Sequence, residues 1–332
     1  MRVVWWLLGI AVLVSLGLAG AVAWWLQRPL PLAAPTVELS IEPGTPPREV
    51  ALAWVKAGVQ TSPWMLYHWF RASGDARRIR AGSYELSPGV SPRDLLAKMV
   101  QGDEAFERVR LIEGWTFRQF RAELARAPHL KPVTSQLTEA ELMAALGLQG
   151  LAAEGRFFPD TYVYSRGVSD LTVLKRASEA LQRRLDAVWA ERAPGLPLKT
   201  PDEALILASI VEKETGRPAD RGRIAGVFIN RLRIGMPLQT DPTVIYGLGE
   251  AFDGNLRKRD LLADTPYNTY TRPGLPPTPI AMPGTAALRA ALNPPATDYL
   301  YFVARGDGSS EFSRSLDEHN RAVARFIRKR NP

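Results

Sequence analysis

Pro201-Asp202-Glu203-Ala204-Leu205-Ile206-Leu207-Ala208-Ser209-Ile210-Val211-Glu212-Lys213-Glu214-Thr215-Gly216 is an apolar run closed by charge. Projected at about 100° per residue, Ile206, Leu207, Ile210 and Val211 fall on one stripe. The pattern predicts a core helix capped by Asp202 and ending near Thr215, where Gly216 and Pro218 stop it. Glu214 follows Val211 and Ile210 by one helical turn and lands near the centre of the stripe, whereas Glu212 and Lys213 point elsewhere. A carboxylate on an apolar face has three explanations. It emerges at the helix end, it pairs with a buried arginine, or it is an acid whose pKa partial burial raises. In the last case the group holds its proton near neutral pH and can deliver it to a leaving oxygen.

Downstream lie Val227-Phe228-Ile229-Asn230-Arg231-Leu232, then Met236-Pro237-Leu238-Gln239-Thr240-Asp241-Pro242-Thr243-Val244-Ile245-Tyr246-Gly247, then Pro266-Tyr267-Asn268-Thr269-Tyr270-Thr271-Arg272-Pro273. The last two are turn-rich stretches in which Gln, Asn, Thr and Tyr sit beside stiffening prolines. Amide and hydroxyl groups match sugar hydroxyls, and aromatic faces match sugar rings. The same residues also hold long loops together, and for any one of them that is the simpler role.

Upstream, helical periodicity covers Leu137 to Leu148 and Leu171 to Arg192, broken at Ala193-Pro194-Gly195. Earlier still, an imperfect repeat links Pro43-Gly44-Thr45-Pro46-Pro47-Arg48-Glu49-Val50 to Pro88-Gly89-Val90-Ser91-Pro92-Arg93-Asp94-Leu95. Each copy follows a strand-like run, Val37–Ile41 or Ser83–Leu86. Thr45 and Ser91 are expected N-caps, with Pro46 and Pro92 at the first helical position. A third strand, glycine turn and helix follow at Val109–Arg118.

The N-terminus carries an uncharged run, Val3 to Leu26, with Trp5, Trp6, Trp24 and Trp25 at its ends. It is long enough to cross a bilayer core and has interfacial indoles. The free amine and Arg2 favour a cytoplasmic N-terminus. A cleaved signal with Ala19-Gly20-Ala21 at its end is the rival, but the apolar run continues past that point. Gln27 to Pro35 reads as a linker. The chain of 332 residues has a net charge of +8 and no cysteine, with three histidines far apart in sequence. Disulfides, thiolate sites and paired-histidine metal sites are therefore excluded, and no metal is expected. The positive surface suits an anionic polymer or lipid. A chain sent through the membrane is not expected to meet nucleic acid.

Ala208–Thr215, Val227–Leu232, Leu238–Gly247 and Tyr267–Tyr270 together resemble the YceG-like endolytic murein transglycosylases, and the resemblance covers nearly the whole chain. It implies cleavage of the bond between N-acetylmuramic acid and N-acetylglucosamine within nascent peptidoglycan strands. The product would carry a 1,6-anhydromuramyl end, and no cofactor would be needed. The catalytic residue implied is Glu214, directly before Thr215. Groove residues are expected at Gln239, Thr240, Asp241, Tyr246, Tyr267, Asn268 and Tyr270. Glu154, Phe158, Asp160 and Tyr162 form a second motif that could be wholly structural. The fold class expected is α+β. A transmembrane helix (1–26) and a linker (27–36) lead to a small LysM-like module (37–105) and a larger mixed α/β catalytic domain (106–332). Partners would be glycan strands, the inner membrane and peptidoglycan synthases, with the catalytic domain in the periplasm. A non-catalytic glycan-binding scaffold, and a hydrolase using Asp241 or Glu212 as a second carboxylate, are the alternatives.

Overall fold

The computed structural model describes residues 2–328, so Met1 and residues 329–332, at the outer ends of the two terminal segments expected above, lie outside it. In chain order the elements are α1 (Arg2–Gln27), β1 (Val37–Ile41), α2 (Pro47–Ala57), α3 (Pro63–Ala72), β2 (Gly82–Leu86), α4 (Pro92–Gln101) and β3 (Phe106–Arg110). Next come α5 (Phe117–Arg126), α6 (Glu139–Ala145), β4 (Thr161–Ser165), α7 (Asp170–Ala190), α8 (Pro201–Glu214) and α9 (Pro218–Arg233). The chain ends with α10 (Asp241–Leu248), α11 (Lys258–Leu262), α12 (Thr285–Leu292), β5 (Tyr301–Ala304), β6 (Ser310–Ser313) and α13 (Leu316–Val323). The described strands pair two by two, β1 with β2, β3 with β4 and β5 with β6, so the α+β class is observed with helices dominant.

The chain forms two compact units. One holds everything through Arg108 together with Pro128–Leu130 and Val163–Val168; the other holds Val109–Ala127, Lys131–Tyr162 and the chain from Ser169 onward. Within the first, β1 and β2 run antiparallel, with Val37 opposite Leu86 and Ile41 opposite Gly82, and α2 and α3 lie between them in sequence. Trp54, Leu66, Phe70, Tyr84, Leu95 and Met99 fill its core. Arg166 ties three strands by pairing with Glu38 of β1, with Glu85 of β2 at 3.1 Å and with Glu107 of β3 at 3.0 Å.

The repeat's helices start close to where the turn chemistry puts them, with one difference. Ser91 caps α4 in a reciprocal box with Asp94, and Pro92 takes the first helical position. In the first copy Pro46 is the cap, Pro47 opens α2, and the Thr45 hydroxyl instead donates to the Glu42 carbonyl at 2.8 Å. Two consecutive prolines shift the start by one residue, because Pro46 holds an extended ψ of 145°. Thr116 and Gln119 box the start of α5 in the same way as Ser91 and Asp94.

In the second unit α8 is the central helix. Every residue from Ala204 to Val211 is buried, against α7, α9 and α12. The single stripe read from sequence is therefore too narrow, because a helix that is apolar on most sides is covered on most sides. Its cap also differs from expectation. Thr200 accepts from Glu203 N, and Asp202, within the first turn, pairs with Arg156 through bonds of 2.6 and 3.0 Å.

Among the described residues, Leu8–Gln27 is the one stretch of helix long and apolar enough to cross a membrane, and none of it is buried within the protein.

Candidate active site

Glu214 is the last residue of α8 and is half-buried. Its position depends on α8 stopping there: Thr215 is extended, and Pro218 starts α9 after a short turn. The Thr240 hydroxyl donates to Glu214 Oε1. Thr240 is itself fixed, since its N–H donates to Thr269 Oγ1 at 3.1 Å and its carbonyl accepts from Thr243 Oγ1 at 2.8 Å. The preceding residue, Gln239, has a φ of 47°, a conformation uncommon for a side-chain-bearing residue. A bond from Gln239 N to the Thr269 carbonyl at 3.0 Å holds it there. The turn thus aims a buried hydroxyl at the carboxyl group.

Desolvation raises the Glu214 pKa from 4.5 to about 7; the Thr240 bond works against this, the nearby Asp241 charge adds to it, and Arg231 opposes it. Arg231 is buried inside the apolar run of α9, and its hydrogen bonds go to the carbonyls of Leu300 at 2.7 Å and Leu238 at 2.8 Å. It acts on Glu214 through space. Sequence reading allowed for a buried arginine without naming Arg231; the signal available was a charge within Val227–Leu232.

A cleft of about 1090 Å³ lies beside this carboxyl rather than around it. Lys213 and Pro242, the neighbours of Glu214 and Asp241, line it together with Phe117, Glu154, Tyr246 and Tyr267. The Tyr246 hydroxyl donates to Glu154 Oε2 at 3.2 Å, and its ring meets the Tyr267 ring edge-on at 4.9 Å. Gly247 allows this approach, since a Cβ there would sit 3.1 Å from the Tyr267 Cβ. The Tyr267 hydroxyl is hydrogen-bonded to Thr278 Oγ1 at 2.8 Å.

Glu154 is buried, accepts from Phe117 N at 3.0 and 3.1 Å, and burial lifts its pKa to about 7. It thereby satisfies an open N–H in the first turn of α5 while facing the cleft. Two of its motif partners look inward: Phe158 is buried under the Arg184 guanidinium at 3.7 Å, and the Tyr162 hydroxyl donates to the Phe158 carbonyl at 2.8 Å; Asp160 is exposed and accepts from Thr161 N at 2.7 Å.

The structure brings Glu214, Thr240, Asp241 and Tyr270 together. The Tyr270 hydroxyl donates to Asp241 Oδ1 at 2.5 Å, and Asp241 is exposed. Tyr246 and Tyr267 line the cleft, and Gln239 presents its side chain to solvent. Asn268 stands apart. It is wholly buried, its amide donates to the carbonyls of Asp260, Leu261 and Ala263, and its Oδ1 accepts from Tyr270 N at 2.9 Å. It shapes the loop that carries Tyr267 and Tyr270 and has no amide group turned outward. Glu212 is half-buried, accepts from Gly284 N at 2.9 Å, and is pushed above the usual carboxylate range by burial. Among the described residues no cluster of three or more His, Asp or Glu side chains could hold a metal.

The sequence profile of the YceG-like family matches residues 39–325. The chain belongs to that family. A Bacillus subtilis (strain 168) relative named endolytic murein transglycosylase is 32% identical over 314 residues, spanning 89% of this chain and 86% of its own length. A relative of the same name from Streptococcus pneumoniae serotype 2 (strain D39 / NCTC 7466) is 28% identical over 325 residues, covering 88% of this chain and 58% of its own. The 2.6 Å crystal structure of a YceG-like protein from Listeria monocytogenes aligns with a TM-score of 0.54 at 29% identity, over 86% of this chain and 98% of the other. In this YceG-like chain the matched region takes in both compact units and all the groove residues named above.

Proposed function

We propose that this protein cuts peptidoglycan glycan strands internally between N-acetylmuramic acid and N-acetylglucosamine, with Glu214 as the single acid and then base. The chain is an enzyme of the lytic transglycosylase class, as its named relatives are. The observation that carries the finer assignment is the Glu214 carboxyl, half-buried, bonded to Thr240 and holding a proton up to about pH 7. A neutral carboxylic acid can protonate the bridging oxygen as an oxocarbenium-like state develops. The carboxylate left behind then takes the proton from the muramyl C6 hydroxyl as that oxygen bonds to C1. One bond breaks, one forms, and no water is consumed, so the product ends in 1,6-anhydromuramic acid. Tyr246 and Tyr267 would meet sugar ring faces in the cleft, and Lys213 would attract stem-peptide carboxylates.

The apolar helix would anchor the chain in the inner membrane, with the rest in the periplasm near nascent strands and the synthases that make them. The β1-α2-α3-β2 order is compatible with a LysM-like module.

Product analysis tests the assignment. Purified protein and a defined glycan strand should give anhydro-ended fragments, with no label incorporated from heavy-oxygen water. Glu214→Gln should abolish them, a loss of at least about a hundredfold, while its circular dichroism matches the parent. Label at the new end would point to hydrolysis. Strand binding without any product from the parent protein would point to a scaffold.

A further inference from the structure

We propose that the exposed face of α3 rests on the headgroup layer of the bilayer that α1 enters, with an anionic lipid surface as its partner. This placement goes beyond the catalytic reading and rests on α1 being the anchor proposed above. Helix α3 buries Leu66 and Phe70 in the core of its unit. At about 100° per residue, Trp64, His68 and Arg71 share the opposite side, with Tyr67 beside them. Trp64 is 66% exposed, its ring lies 4.2 Å from that of His68, and the Arg71 guanidinium sits 5.8 Å from the Tyr67 ring centre. No acidic residue occurs anywhere in Pro63–Ala72. The outer face of a helix in water usually carries charges of both signs, whereas aromatic and basic residues together are what settles at a membrane interface.

Backbone bonds fix this helix close to the end of α1. Gln60 N donates to the Pro31 carbonyl at 2.8 Å, Ala33 N to Gly58 O at 2.9 Å and Leu30 N to Val90 O at 2.9 Å; a β-bridge joins Leu32 to Val59. Gln60 and Thr61 run directly into Pro63, the first residue of α3. At the last turn of α1, Trp25 packs against the core of the unit, while Trp24 is 61% exposed beneath the Arg28 guanidinium at 4.6 Å. A cleft of about 660 Å³ is lined by Trp24, Arg28, Pro31, Gln60 and Thr61. A helix that crosses the hydrocarbon core ends at headgroup level, and what is bonded to the residues just past its last turn is held near that level too. Two exposed indoles and two guanidinium groups then face a surface of lipid phosphates, to which they are complementary in charge.

The absence of cysteine in the chain makes a site-specific test direct. The full chain carrying His68→Cys, labelled with an environment-sensitive fluorophore, is reconstituted in phosphatidylglycerol–phosphatidylcholine vesicles doped with headgroup nitroxide lipids. The label should be quenched, and quenching should drop at least about twofold when Trp64→Ser is added or phosphatidylglycerol is omitted. A separate chain labelled at Leu13→Cys and challenged with deep nitroxides reports insertion of α1. Quenching at Leu13 with none at His68 overturns the docking and leaves the anchor standing. Quenching at neither overturns both. A His68 label that soluble glycan fragments shield and lipids do not assigns the face to sugar and overturns the proposal.

Discussion

Glu214 and Thr240 form the smallest unit on which the proposed chemistry depends. The hydroxyl favours the ionised carboxylate, burial favours the acid, and burial wins, so the proton stays to about pH 7. If protonated Glu214 starts the reaction, kcat/KM falls as pH rises through that value. Thr240→Val removes a donor to the carboxylate while keeping the shape, so the Glu214 pKa rises further and the falling limb moves to higher pH. A pH–rate profile of the variant that overlays the parent's would remove Thr240 from the mechanism. The partly buried position of Glu214 was legible in the sequence, because a charge inside an apolar period is a conflict that needs a reason. Asn268 was not, because an Asn in a turn-rich loop is written the same way whether its amide holds a sugar or three backbone carbonyls.

The elements show where sequence patterns carry and where they stop. Capping chemistry is local, so Ser91 as the cap with Pro92 behind it was readable at the start of α4. The start of α2 turned on two adjacent prolines, and that of α8 on Thr200 rather than Asp202, because both residue types cap helices. The all-round burial of α8 depends on α7, α9 and α12 closing over it, which no single-helix projection contains. Glu154, which accepts from the first turn of α5, belongs to the same scale. Its carboxyl holds a proton in the folded protein to about pH 7 but in the unfolded chain only to about 4.5. The folded state therefore binds the extra proton between those values, and stability declines as pH rises from 4.5 to 7, then levels off. The whole decline is worth roughly 3 kcal/mol. Glu154→Gln keeps an acceptor for Phe117 N without the titration. Urea-unfolding free energies of this variant at pH 5 and pH 8 should differ less than the parent's do; an equal difference would show that Glu154 does not titrate in that range.

Over the whole molecule, the long apolar helix at the start, the positive charge and the absence of cysteine were visible in the sequence. The path of the chain between its two compact units was not. Pro128–Leu130 and Val163–Val168 belong with the N-terminal unit although they lie deep in the segment expected to be catalytic. Sequence reading places boundaries where composition shifts, and neither segment differs in composition from its surroundings. Arg166, the residue that holds β1, β2 and β3 together, lies in one of these returning segments. A chain beginning at Val109 should therefore give less soluble protein than the full chain and a broader thermal transition; a sharp transition at the parent temperature would show that the rest folds without the first 108 residues.

That thrice-woven path has an evolutionary cost. A module strung on a single linker can be lost, duplicated or traded by one recombination event. Here, one crossover near Arg108 would leave Arg166 with none of its three carboxylates, and the Ser83 hydroxyl would lose the Arg166 carbonyl it donates to. Inheritance of the two units is thereby coupled, and descendants should vary by insertion at the ends and in exposed loops instead of by shuffling.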